Sequence, residues 1–453
     1  MTILNEAKNV RQIACEILHR VESQKAYADL LLDHHLRNAA LKEADRALLT
    51  ELTYGTLRWR AKIDAKLEPF LNRSLAKTDS FNRNLLRVTL YQLLFLDKIP
   101  AYAAVNEAVE IAKITQPRSA SFVNGVLRNF LRQKKQQENG KGVASSASNL
   151  AQEFSHPQWI VDRWLSYFGC EEAKALMLAS NQKAPLAVRV NQRTTTRAEL
   201  LATWRESGIV AEASIISPQG IRLPTGLSIE ALSGYNEGQF QVQSEASQLV
   251  SYLVDPSPGE TILDACAAPG GKATHLAELT GDHGKIIAID TSARGVERIA
   301  QNARRLRLTS VQPIRADASE SLTDNLAGPY DRILIDAPCS GLGTLRSHPE
   351  IKWQRDNHDI ARLAALQARI LQSTASYLKT GGVLVYSTCT LTVDENQQVI
   401  GKFLRQNNLF ELTDAARYLP ESARHMVRDE FFQALPQRDD TDGFFAARMR
   451  KVG

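Results

Sequence analysis

A rhythm that begins after Ser244 narrows the folding choices of this chain more than any other feature. A short apolar run leads to a turn and an amphipathic helix, and the pattern then repeats. "TILDACA" reads as a strand, followed by a glycine turn and a helix starting near Lys272. "KIIAID", "VQPIRAD", "YDRILIDA" and "GGVLVYST" supply four more strands, with helices such as "RGVERIAQNARRL" and "DIARLAALQARILQSTASYL" between them. Alternation of this kind implies an α/β, Rossmann-like domain: a doubly wound, mostly parallel sheet with helices packed on it. "DGFFAARMRK", close to the C-terminus, is expected to add an antiparallel edge strand.

The chain before this rhythm is organised differently. Up to about residue 135 it reads as helices, with Ile13, Ile17, Leu18 and Val21 on one face, then Val105, Ala108, Val109 and Ala112, then Val123, Val126, Leu127 and Phe130. "QKKQQENGKGVASSASN", Gln133 to Asn149, is polar and small throughout and reads as a linker. Beyond it the pattern is mixed: "HPQWIVDRWLSYFG" begins a helix, "PLAVRVN" is a strand and "RAELLATWRESG" another helix. The expected division is a helical domain over 1–135, a linker over 136–149, an α+β segment over 150–243 and the α/β domain over 244–453.

Composition excludes several classes. Apolar residues make up 43% and charged residues 23% of the 453, the ordinary balance of a globular protein. No apolar run approaches the ~20 residues of a membrane span, so no membrane association is expected. The first residues carry Glu6 and lack an apolar signal core, so a cytoplasmic chain is expected. The five cysteines are odd in number and none are spaced Cys-x-x-Cys, which argues against a disulfide framework or a structural zinc; no metal site is expected. The net charge of +5 is uneven: residues 1–141 hold 23 Lys and Arg against 15 Asp and Glu, so that stretch is +8 and the remainder −3. A basic excess of this size suits a polyanionic partner, and equally a solvated helical surface.

In a doubly wound sheet the ligand sits at the carboxyl ends of the strands. "APGG", Ala268 to Gly271, follows the first strand, and its glycines allow a tight turn and close backbone approach. Asp290 ends the second strand, 19 residues after Gly271, where a carboxylate can take a ribose hydroxyl pair; Asp317 ends the third and Asp336 the fourth. A lone strand-end Asp is usually a helix cap or turn former, but such ends in register argue for a shared site. A phosphate-binding P-loop fails twice, at Cys266 where glycine is needed and at Ala273 where Ser or Thr is needed; the dinucleotide fingerprint is also missing. The remaining class is an adenosyl ligand without phosphates, and S-adenosylmethionine fits.

Two cysteines share that rim. Cys339, in "DAPCSGLG", follows the fourth strand, and Cys389, in "VYSTCTLTVDEN", follows the fifth. Methyl transfer to an exocyclic nitrogen needs no thiol, because the nitrogen has its own lone pair. Carbon 5 of a pyrimidine is a poor nucleophile, and a thiolate adding at carbon 6 turns the ring into an enamine that can attack a methyl sulfonium. The carbon-5 proton must then leave and the thiol be expelled, which calls for a base or a second assisting group. An acid such as Asp336, hydrogen-bonded to the ring, would help the addition. The base must be splayed out of its stack to be reached. Spacing leaves open which thiol attacks.

"LDACAAPGGKATHLAEL", "IDAPCSGLGTLRSHPEIKW" and "LVYSTCTLTVDEN" resemble the signature segments of the RNA 5-methylcytosine methyltransferases, the NOL1/NOP2/Sun family. "FSHPQWIVDRW", "AVRVN" and "GQFQVQSEASQLV" are similar to the segment that precedes the catalytic sheet in that family. The helical start, with "IPAYAAVNEAVEIAK" and "SFVNGVLRNFLR", resembles the NusB-like RNA-binding domain joined to a bacterial member. The resemblance implies methylation of carbon 5 of a cytosine in small-subunit ribosomal RNA. It implies Cys389 as the nucleophile and Cys339 as the group that assists product release. It implies that Cys266, Ala267, Ala268, Pro269, Gly270, Gly271, Lys272, Asp290, Asp317 and Asp336 line the S-adenosylmethionine site. Relatives often carry Arg five residues past the ribose acid, where this chain has Gly295. "RSHPEIKWQR", Arg346 to Arg355, mixes cations with Trp353 and is expected to hold RNA phosphates and stack on a base, while His348 is expected to be structural. Arg189 and Asn191 match the family's Arg-Val-Asn and are expected to touch cofactor or RNA. A monomer is expected. Transfer RNA as substrate, or a non-catalytic RNA-binding protein that keeps the fold, are the alternatives.

Overall fold

The computed structural model describes residues 9–38, 41–138, 149–322, 326 and 328–453. The chain forms two compact units, one of residues 1–181 with 345–354, the other of residues 182–344 with 355–453.

The first unit is helical throughout its described residues. Its long helices are Val10–Gln24, Ala28–Asn38, Glu43–Arg58, Arg60–Leu67, Ser80–Phe95, Ala101–Thr115, Ala120–Glu138 and Gln158–Ser180. The apolar stripes read from the sequence converge on one core, in which Ile13, Ile17, Leu18, Val21, Val105, Ala108, Val123, Val126, Leu127 and Phe130 are buried. The helix Ala120–Glu138 runs across the first residues of the segment read as a linker; 139–148 lie outside the described residues. No described helix is long and apolar enough to cross a membrane.

The second unit holds two sheets. In chain order its strands are β1 (Leu186–Val190), β2 (Glu212–Ala213), β3 (Gly220–Leu223), β4 (Phe240–Val242), β5 (Thr261–Asp264), β6 (Lys285–Asp290), β7 (Val311–Arg315), β8 (Tyr330–Asp336), β9 (Leu378–Thr388), β10 (Phe410–Thr413), β11 (Val427–Arg428), β12 (Phe431–Ala434) and β13 (Phe444–Lys451). The small antiparallel sheet has the order β2-β3-β1-β4, and Leu200 and Trp204 of the helix Arg197–Glu206 pack with its apolar residues.

The large sheet has the order β11-β12-β13-β9-β8-β5-β6-β7, with β10 paired to β13. β5 through β9 pair in parallel, as the strand–helix rhythm requires. Alternation assigns each side chain to a face: Ile286 and Ala288 join one core while Ile287 and Ile289 join the other. From β5 the chain moves outward to β6 and β7, then returns across to β8 and β9. The switch point therefore lies between β5 and β8, where the carboxyl ends of the strands open a crevice. β13 is antiparallel, as expected, but it is not an edge strand. It lies between β9 and β12, and its Phe445, Ala446, Ala447 and Met449 are all buried. Its unbroken apolar run "FFAA" is what a strand covered on both faces needs.

Candidate active site

The strand-end residues meet at this switch point. β5 ends at Asp264, and the loop Ala265–Gly270 then turns into the helix Gly271–Leu279. Gly270 makes the turn with φ of 101°, and a Cβ there would press on Ile299. Asp290, at the end of β6, accepts from Ala268 N at 3.2 Å and from Ser292 N at 2.9 Å, so it pins the loop while its remaining lone pairs stay available. Gly295 stands so close that a Cβ would meet both Ala268 Cβ and Asp290 Oδ1 at 2.9 Å. At the end of β8, Asp336 accepts from Lys272 Nζ at 2.5 Å and from Ser387 Oγ at 2.8 Å. Lys272 also lies over the Phe444 ring, 5.1 Å from its centroid.

Asp317 stands apart from this group. It is exposed, and Ser319 N and Oγ donate to it at 2.8 and 2.7 Å, the geometry of a turn former. Its charge still reaches Cys266, whose thiol is pushed well above the ordinary range by burial and then by Asp264, Asp336, Asp290 and Asp317. That thiol stays protonated and unreactive. Ala267 is buried, Ala268 half-buried and Pro269 exposed, so the loop presents mainly backbone.

Sequence reading misses Asp264, although it carries the same signal as Asp290, an acid at the last position of a parallel strand. Its carboxyl is fully buried and, among the described residues, neither oxygen accepts a hydrogen bond of ordinary geometry. Burial and then the Asp336 charge raise its pKa to about 7, against the opposing pull of Lys272 and the Cys266 amide. An orphaned buried carboxyl at a switch point fits a ligand that brings its own donor.

The two thiols are brought together. Cys339 Sγ and Cys389 Sγ are 3.3 Å apart and both residues are half-buried, at the ends of the adjacent parallel strands β8 and β9. The hydrogen bond to Cys389, and then burial, hold the Cys339 thiol well above the usual range. Gly343 N donates to Cys389 O at 2.9 Å, and a Cβ on Gly343 would collide with the Gly443 carbonyl, so the glycine after the Pro-Cys motif lets the two loops close.

These features agree with what the chain is similar to. The 16S rRNA methyltransferase RsmB/F family matches residues 251–450, the NusB family residues 8–132, and the ferredoxin-like domain of RsmF/B-like methyltransferases residues 156–230. A probable ribosomal RNA small subunit methyltransferase B of Bacillus subtilis is 40% identical over 98% of this chain and 99% of its own length. This chain belongs to that methyltransferase family. The protein of the same description from Synechocystis is 36% identical over 98% of this chain and all of its own. The crystal structure of PH0851 spans the whole of both chains at 25% identity with a TM-score of 0.81.

The protein is thus an S-adenosylmethionine-dependent RNA methyltransferase with a NusB-like helical domain and a Rossmann-like catalytic sheet. The residues present fit the cofactor: an orphaned buried carboxyl at Asp264, a glycine turn presenting backbone, and Asp290 with lone pairs to spare.

Two expectations need correction. Arg189 and Asn191 are fully buried. Arg189 forms a 2.7 Å ion pair with Glu278 and donates to Gly271 O at 2.7 Å and Thr274 Oγ1 at 3.1 Å. Asn191 donates to Gly238 O and Leu306 O. Arg189 therefore braces the start of the glycine-loop helix from behind, and neither residue has a face left for a ligand. The second correction concerns Arg346–Arg355, whose residues through Gln354 belong to the helical unit. Lys352 is fully buried and donates to Asn181 Oδ1 at 2.6 Å, Ser155 O at 3.2 Å and Arg58 O at 3.4 Å. Trp353 Nε1 donates to Leu57 O at 2.8 Å, and Arg60 covers its ring. The cation and the aromatic ring read as an RNA grip are committed to packing. His348 Nδ1 lies 3.7 Å from the buried carboxylate of Glu350.

Proposed function

We propose that this enzyme methylates carbon 5 of a cytosine in small-subunit ribosomal RNA, with Cys389 as nucleophile and Cys339 as the group that assists release. The observation that carries the reading is the 3.3 Å approach of two half-buried thiols beside the Lys272–Asp336 pair on one catalytic rim. Bound S-adenosylmethionine supplies an electrophilic methyl group on a sulfonium. Asp264, the backbone of Cys266–Gly271 and Asp290 hold that cofactor. Cys389 Sγ forms a bond to carbon 6 of the flipped cytosine, and the ring electrons displaced toward nitrogen 3 are met by a hydrogen bond from the Lys272–Asp336 pair. Carbon 5 is then nucleophilic and would take the methyl group from the sulfonium, whose sulfur–carbon bond would break to leave a neutral thioether. Loss of the carbon-5 proton to a base returns an electron pair to the ring, the Cys389–carbon 6 bond breaks, and the protonated Cys339 thiol hydrogen-bonds to the departing sulfur.

The names and extents of the relatives support ribosomal RNA as the substrate, and the +8 charge of residues 1–141 suits a polyanion. The test is an adduct trap. Purified Cys339→Ala and Cys389→Ala variants are mixed with S-adenosylmethionine and either small-subunit ribosomal RNA or transfer RNA, then run on denaturing gels. Cys339→Ala is expected to accumulate a protein–RNA adduct with ribosomal RNA, and Cys389→Ala to form none and to lose methylation by more than ~1,000-fold. The reverse pattern makes Cys339 the attacker. An adduct with transfer RNA alone changes the substrate, and no methylation by wild type overturns the enzymatic reading.

A further inference from the structure

Six residues after Cys389 the chain places a carboxylate where none of the chemistry above requires one. Glu395 is fully buried between the end of β9 and the helix Gln397–Gln406. It is saturated with donors. Oε1 accepts from Ser340 N at 2.8 Å and Gln367 Nε2 at 3.0 Å. Oε2 accepts from Ser340 Oγ at 2.6 Å, Thr392 Oγ1 at 2.7 Å and Thr390 Oγ1 at 3.4 Å. Ser340 follows Cys339 and Thr390 follows Cys389, and their hydroxyls are themselves 2.7 Å apart. One carboxylate therefore binds the residue next to each thiol. Its neighbour Asn396 extends the hold: Thr388 Oγ1 donates to Asn396 Oδ1 at 2.6 Å and Asn396 Nδ2 to Thr390 O at 3.0 Å, fastening the chain on both sides of Cys389.

We infer that Glu395 is a positioning residue, whose buried carboxylate sets the separation of the Cys339 and Cys389 sulfurs by tying their two loops to one anchor. The physical reason is specific to a carboxylate. A carboxylate offers about four acceptor sites and carries no hydrogen, so it can take Ser340 N and Oγ from one loop and Thr392 Oγ1 from the other at once, with the 3.4 Å Thr390 contact the weakest of the set. An amide of the same shape has one accepting end and turns a donor toward donors already in place, leaving buried N–H or O–H groups unmet. A loop released in this way can shift by a fraction of an ångström without unfolding the sheet, and that is the distance scale on which thiol addition and release depend. Burying a charged group away from solvent is costly unless donors answer it, and here they come from both loops.

The consequence for methylation rests on the two-cysteine reading above, so the test has one arm that does not. Diamide, a diazene, accepts two electrons and two protons from a pair of thiols, becomes a hydrazine and leaves a disulfide. In wild type the two sulfurs need only close from 3.3 Å, so a Cys339–Cys389 disulfide forms quickly and is read as a loss of two free thiols and a cross-linked peptide by mass spectrometry. In Glu395→Gln, closure is expected to slow by ~10-fold or more, whatever the enzyme methylates. In the methylation assay kcat is expected to fall by ~10–100-fold, the range typical of residues that orient others, while KM for RNA and cofactor affinity stay within about twofold. Glu395→Asp, which keeps the charge and both acceptors, is expected to recover part of both rates. A folded Glu395→Gln enzyme that closes the disulfide at the wild-type rate overturns the inference. Normal closure in wild type without any methylation would instead overturn the functional reading and leave the anchor standing. If Glu395→Gln does not fold, Ser340→Ala removes a single hydroxyl from the same oxygen; closure slowed about threefold supports the anchor, and an unchanged rate overturns it.

Discussion

Buried charge is handled in opposite ways in the two units. In the helical unit Glu22 meets Arg83 at 2.8 Å, Arg60 at 3.1 Å and Arg87 at 3.3 Å, and Arg87 also grips Asp64 through Nε and Nη2 at 2.7 and 2.8 Å. Burial alone would raise the Glu22 pKa. The hydrogen bond from Arg83 and the charges of Arg87, Arg60 and Arg83 outweigh it and take the carboxyl down to about 2. In the catalytic unit Asp264 is buried more deeply and has no such partner, and its pKa goes up to about 7. A buried charge that the chain has already answered is scaffold. One that the chain leaves unanswered at the switch point of a parallel sheet marks where a ligand belongs.

The sharpest way to break this contrast is Asp264→Asn. Loss of a charged hydrogen-bond partner for the cofactor is expected to weaken S-adenosylmethionine binding by ~10–100-fold, measured by calorimetry. Stability should move the other way. A carboxyl with a folded pKa near 7 and an unfolded one near 3.8 favours the fold when protonated, so its contribution is complete below about pH 4 and is lost as pH rises to 7. At about 1.4 kcal/mol per pH unit this approaches ~4 kcal/mol. Between pH 4 and 8, without cofactor, the variant should therefore gain stability relative to wild type, read as the difference in denaturation midpoints. A difference that does not change with pH would mean that Asp264 is answered within the protein after all.

The opposite manipulation is Arg87→Met, which strips the helical unit of a central cation. The expected loss is ~2–4 kcal/mol near neutral pH, since Glu22 and Asp64 keep partial burial without their shared partner. Glu22 has a depressed folded pKa, so its contribution is present above its unfolded value near 4.5 and fades as pH falls toward 2. The penalty of the substitution should shrink over that window. Single-turnover methylation per folded molecule should remain at the wild-type level; a large fall would make this cluster part of the working site.

The smallest effect sets the scale for ordinary local structure. Asp79 caps the helix Ser80–Phe95, accepting from Phe81 N at 3.0 Å and Asn82 N at 3.1 Å. Asp79→Ala should cost ~1 kcal/mol in chemical denaturation and leave cofactor binding unchanged.

The sequence determined by itself what depends on periodicity and on residues that follow one another. The alternation of strands such as "KIIAID" and "GGVLVYST" with helices dictated a mostly parallel sheet, acids at strand ends marked the rim, and two cysteines after the fourth and fifth strands had to face it. Local pattern carries this information because a strand places successive side chains on opposite faces whatever surrounds it. Tertiary structure decided which polar residues are spent and which are free. Lys352 and Trp353 look like an RNA grip in sequence and are consumed by Asn181, Ser155, Arg58 and Leu57, hundreds of residues before them or close to it. Arg189 looks like a ligand contact and is consumed by Glu278. Asp264 looks like one acid among several, yet among the described residues its buried oxygens meet no hydrogen bond of ordinary geometry, while Glu395 joins two loops whose cysteines are 50 positions apart. The physical reason is the same in each case. The free energy of a charged group depends on the donors, acceptors and water around it, and those are supplied by chain segments that only folding brings within reach.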